Sequence, residues 1–177
     1  RMFRAMIDAY LRERQLSEHA DLSLSQLDAI DYLVKTIRLA CLLHDSGHSS
    51  FSHQFTQARR IRELMSRGDR FQELWRGADY RQYYRTEPEE LEHEHYSVRV
   101  AHEVLSSVDL DAAGLDRRDV IGIMETTEVR PSDTFCRHAL TFWQFIAGEQ
   151  AESGSLTRDN IPRLVMGLLS SIVSGEI

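Results

Sequence analysis

The chain has 177 residues, 42% apolar and 28% charged, the balance of an ordinary soluble globular protein, and this length fits a single domain. A formal net charge of −7 argues against broad nucleic-acid binding through phosphate neutralisation. No apolar run approaches the roughly 18 residues of a membrane span, and the N-terminus lacks a signal-peptide pattern.

In chain order the periodicity predicts helices throughout. Met2, Phe3, Met6, Ile7, Tyr10 and Leu11 recur at helical spacing, so a first helix is expected over Met2–Leu16. A polar break follows, from Ser17 to Leu24. Ser25-Gln-Leu-Asp28 reads as a capping box with Asp in place of Glu, opening a helix from Gln26 to Leu43. Its apolar positions are Leu27, Ile30, Leu33, Val34, Ile37, Leu39 and Ala40. Cys41 lies in this apolar run, so a buried, reduced thiol is expected. Cys41 and Cys136 lack motif spacing, which argues against a disulfide scaffold and for the cytoplasm.

A short helix is predicted over Phe51–Arg62. The stretch from 59 to 87 is poorly periodic and aromatic-rich, and reads as an insertion or lid of short helices and loops. It holds eight arginines against four acids between positions 59 and 85. Guanidinium groups match phosphates bidentately, so some could meet a phosphorylated substrate. The plainer explanation is compositional, because 20 of the 21 basic residues are arginine. Pro88 should open a helix through His93 to Leu105, with Val98, Ala101, Val104 and Leu105 inward. Further helices are expected from Asp116 to Met124, from Pro131-Ser-Asp133 to Ile146 and from Asn160 to Ser174. Alternating Val/Ile runs are absent, so the expected fold class is all-α, a single domain over residues 1–177.

The chemistry concentrates in ten residues, His44-Asp-Ser-Gly-His-Ser-Ser-Phe-Ser-His53. Adjacent His44 and Asp45 at a helix end offer an imidazole nitrogen and a carboxylate, a donor pair suited to Zn, Fe, Mn or Ni. Gly47 stands where a helix can stop in a left-handed residue. His48 could donate a proton to, or hydrogen-bond, a phosphate oxygen or a water near neutral pH. Orienting a ligand is the alternative for His48. For His53, substrate contact and a structural hydrogen bond stand level. No Gly-x-Ser-x-Gly elbow, Walker A or dinucleotide fingerprint occurs.

With that motif, Arg38-Leu-Ala-Cys-Leu-Leu-His-Asp-Ser-Gly-His-Ser-Ser-Phe-Ser-His53 resembles the core of HD-domain metal-dependent phosphohydrolases. The Phe51-Ser-His53 ending is similar to the deoxynucleoside triphosphate triphosphohydrolase branch. The resemblance implies an HD-domain helical bundle and a divalent metal ion (Mn, Mg, Fe, Ni or Zn) held by His44 and Asp45. It also implies a nucleotide substrate, with His48 as a catalytic residue and His53 in substrate binding. His93-Glu-His-Tyr-Ser97 resembles the family's second signature, His-Glu-x-x-Ser on a helix, which makes His93 the candidate general acid. His95 is the rival one register away, sharing a face with His102. The resemblance covers residues 1–107 and 160–177, and no family motif is placed in 108–159.

The departures are specific. Ser46 replaces a usual aliphatic residue and Ser50 a usual proline. Thr56 stands where the branch often has an aspartate that pairs with the catalytic histidine. A first metal-ligating histidine and a last aspartate would lie outside the chain, since His19, in a polar loop, is a poor substitute. The chain is thus expected to be a segment of a longer protein. Three readings follow: a triphosphohydrolase-like enzyme; another HD phosphohydrolase (a nucleotidase, a cyclic-nucleotide phosphodiesterase or a guanosine polyphosphate hydrolase); or a degenerate domain that binds nucleotide without turnover. A homo-oligomer is compatible with each of them.

Overall fold

The computed structural model describes residues 22–47, 79–84, 93–125, 129–148 and 159–175, with positions 63 and 157. Among them the fold is all-helical, without a strand. The helices are α1 (Leu24–Leu43), α2 (His93–Ser106), α3 (Arg117–Met124), α4 (Asp133–Ala147) and α5 (Ile161–Ser174). A 3-10 turn spans Asp79–Tyr83 between the first two. The helices predicted over Met2–Leu16 and Phe51–Arg62 lie outside the described residues.

Local chemistry explains where each helix starts. Ser23 accepts from the Gln26 N–H at 3.3 Å, and the Gln26 side chain accepts from the Ser23 N–H at 2.8 Å. This reciprocal box opens α1 two residues before the Ser25–Asp28 box expected from sequence, because glutamine at the third helical position reaches back to the cap. Asp116 caps α3 and Ser132 caps α4 through side-chain bonds to the Arg118 and Phe135 amides. Pro162 sits in the first turn of α5, where its missing N–H costs nothing. Gly175 ends that helix at φ 74, a left-handed conformation that other residues adopt with strain.

The core is built from helical stripes. On α1 the buried positions are Ala29, Tyr32, Leu33, Thr36, Ile37, Ala40 and Leu43, a three-to-four-residue repeat along one face. That face packs chiefly on α4 and α3, while α5 closes against α3 and α4. Val98, Ala101 and Leu105 turn inward from α2, toward α3 and α1. Two expectations need correction. Val104 is 43% exposed, because it lies beside the stripe made by its neighbours. Cys41 is exposed as well: it follows Ala40 by one residue, about 100° around the helix from a stripe that runs through Ala40 and Leu43.

Phe135 and Ile123 are fully buried at the centre. At Gly122 α3 lies against α5, and an added Cβ would stand 2.8 Å from the Met166 sulfur. No helix among the described residues is long and apolar enough to cross a membrane.

Candidate functional site

The last turn of α1 carries the His-Asp pair. Leu43 is anchored in the core, and the His44 N–H continues the helical ladder to the Ala40 carbonyl at 2.8 Å. Ser46 closes the turn, its N–H and hydroxyl both donating to the Leu43 carbonyl at 3.0 and 2.6 Å. The backbone direction of two successive side chains is thus set by a buried leucine.

His44 Nδ1 lies 3.0 Å from the Cys41 carbonyl oxygen. A carbonyl only accepts, so this contact puts a proton on Nδ1 and leaves Nε2 to act elsewhere. Nε2 stands 3.1 Å from Asp45 Oδ2, with the two side chains 33% and 61% exposed. At that exposure a direct ion pair between them adds little stability. Either a proton or a metal cation on Nε2 would satisfy this approach to the carboxylate oxygen.

The donor set fits a divalent ion as a partial site. Metal–nitrogen and metal–oxygen bonds run about 2.0–2.2 Å, longer than half the separation of the two donors, so one ion could touch both. An imidazole with a carboxylate suits Zn, Mn, Fe or Ni by donor type. A protein site usually supplies three or four ligands. Among the described residues, no group of three or more His, Cys, Asp or Glu could hold a metal.

Beside the pair, the two sequence motifs meet. The Gly47 N–H donates to Ser97 Oγ at 2.9 Å, bridging 50 positions of sequence, and Ser97 is 1% exposed. A buried hydroxyl bound to a turn amide fixes the turn against α2. Position 93, the first residue of α2, lies one turn before Ser97 on the same helix face. The His93 side chain, and all of His48, His53 and Thr56, lie outside the described residues.

The register question at His93 and His95 has a geometric counterpart. His95 stacks on Tyr84, with centroids 5.1 Å apart and planes at 25°. His102 shares that face, its Nδ1 3.1 Å from the Tyr83 hydroxyl. The pair therefore packs on the segment around the 3-10 turn, about 200° around α2 from Ser97. Burial lowers the pKa of His102 below its ordinary value, and Arg117 pushes it the same way.

One polar group went unrecognised in the sequence. Asp119 is fully buried, its Oδ2 accepting from the Tyr32 hydroxyl at 2.5 Å and from the Ser132 hydroxyl at 2.6 Å. Its Oδ1 accepts from the Ser132 N–H at 2.8 Å. Burial raises the Asp119 pKa, and these hydrogen bonds oppose the rise. Burial raises the Tyr32 phenol too, reinforced by its bond to the Asp119 carboxylate. The network ties α1, α3 and the cap of α4 together. Tyr32 lies three turns of α1 before His44, about 18 Å at 1.5 Å per residue, so Asp119 belongs to the core and not to the pair.

No protein-family model, curated protein or solved structure matches this chain.

Proposed function

We propose that this chain is the core of an HD-type metal-dependent phosphohydrolase acting on nucleotides, of the deoxynucleoside triphosphate triphosphohydrolase type. One observation carries the reading. His44 Nε2 and Asp45 Oδ2 converge to 3.1 Å at a helix end whose following turn is bonded, through Gly47, to Ser97 of the second motif. Two short signatures that could each arise by chance are thereby neighbours in space.

In this proposal His44 and Asp45 hold the divalent ion, with Nε2 as the nitrogen donor. The ion supplies Lewis acidity toward a phosphoryl oxygen and toward water. His48 hydrogen-bonds or exchanges a proton with the reacting phosphate or water, and His53 contacts substrate. Water adds at the α-phosphorus, the 5′ oxygen of the nucleoside departs, and His93 gives it a proton. Arginines between 59 and 85 would meet the negative charge of three phosphates.

Product chromatography tests the reading. With Mn²⁺ and a deoxynucleoside triphosphate, the full-length protein should release deoxynucleoside and intact triphosphate. Orthophosphate or pyrophosphate would move the assignment to the other HD phosphohydrolases. Nucleotide binding with no product at all would favour the degenerate domain, to which Thr56, in place of a pairing acid, already points.

A further inference from the structure

A second feature lies away from the pair, at the opposite end of α2. There an open cleft of about 670 Å³ is bounded by the end of α2, the loop that follows it, and the first turns of α3 and α4. From Ser97 to Leu105, on the cleft wall, α2 advances about 12 Å at 1.5 Å per residue. We propose that this cleft binds a small phosphate monoester that also carries hydroxyl groups, independently of the His44–Asp45 pair.

Three arginines, Arg117, Arg118 and Arg137, line it. Arg117 donates to the Ser106 hydroxyl, which orients its guanidinium along the wall. Among the described residues no carboxylate lies within ion-pairing distance of Arg118 or Arg137. Arg117 and Arg118 act on the cleft lining: both oppose the burial-driven rise in the Tyr83 pKa, while Asp116 adds to it. Planar guanidinium groups lining one concavity match the oxygens of a phosphate.

Three aspartates share the lining and define the other end of the ligand. Asp116 is committed to the Arg118 amide at 2.8 Å, and Asp109 to the Ala112 amide at 3.0 Å. Asp111 is exposed on the rim, an acceptor-only group suited to the hydroxyls of a sugar. The volume suits a ligand of that size, since small-molecule sites run about 300–1,000 Å³. Leu105 and Leu115, both buried, give the cleft a rigid apolar base.

Ribose 5-phosphate, ribose and inorganic phosphate, each titrated calorimetrically in EDTA, separate the outcomes. Ribose 5-phosphate should bind saturably and more tightly than either fragment. Arg118→Gln combined with Arg137→Gln should weaken it by about tenfold or more, the effect of losing charge-assisted hydrogen bonds. Asp111→Asn should weaken ribose 5-phosphate without changing inorganic phosphate. His44→Ala should leave all three affinities unchanged. No saturable binding of ribose 5-phosphate, equal binding of it and inorganic phosphate, or full binding by the folded double arginine variant would each overturn the proposal.

Discussion

A histidine whose Nδ1 is held by the carbonyl of Cys41 offers only Nε2 to a partner, and in His44 that nitrogen faces Asp45. The adjacency of the two at a helix end was legible in the sequence, from the apolar run that precedes them; the Cys41 carbonyl that takes Nδ1 was not. The exposure of Cys41 was not, since the unbroken run Leu39–Leu43 conceals which of its members face the core. Asp119 was missed for a different reason. An acid in the first turn of a helix ordinarily meets solvent and the helix dipole, and nothing local signals that Tyr32 and Ser132 surround it. Asp119→Ala leaves the Tyr32 hydroxyl and both Ser132 donors without an acceptor, and should cost about 3 kcal/mol or more. Tyr32→Phe should cost about 1.5–3 kcal/mol, the worth of a hydrogen bond to a charged group. Urea unfolding followed by circular dichroism measures both. Because the two residues share one bond, the double variant should lose less than the sum. Additive losses, or single losses within about 0.5 kcal/mol of wild type, would show the network to be idle.

Among the described helices, existence was the legible part, and extent too for α3 and α5, whereas the start expected at Pro88 lies outside the described residues. The helix expected over Asp116–Met124 is α3 with its cap, and that over Asn160–Ser174 is α5 with its cap. Caps and prolines act within four residues, so their signals survive in a linear reading. The start of α1 was misplaced: the expected cap was Ser25, whereas the Gln26 side chain binds the Ser23 amide and opens the helix two residues earlier. The face of α2 shows what spacing can and cannot say. It put His95 and His102 together, but not that Tyr83 and Tyr84 would be their partners. Likewise, the link from Gly47 to Ser97 joins segments whose intervening sequence contains no hint of the contact.

Over the whole molecule, the all-helical class follows from apolar spacing of three and four without alternation. The packing order does not, because periodicity marks a face as apolar without naming the helix that covers it. Two partly buried histidines make the assembled core sensitive to acid. Burial lowers the pKa of His138, which stacks on Tyr32 at 4.5 Å, and does the same for His102. The unfolded chain therefore binds more protons than the native state below the ordinary histidine value of 6.5. Stability from this source is fully present above that pH and is lost as pH falls through the lowered native values. Urea unfolding at pH 7.5 and 5.5 should show the loss in wild type and a smaller one in His102→Gln/His138→Gln; an equal loss would assign the effect elsewhere. The proposed activity is tested most directly by measuring Mn²⁺ binding and nucleotide hydrolysis together in full-length wild type, His44→Ala and Asp45→Ala. The metal site proposed for this pair predicts that either substitution abolishes both, with circular dichroism unchanged. A folded variant that keeps its metal or its hydrolysis would contradict it.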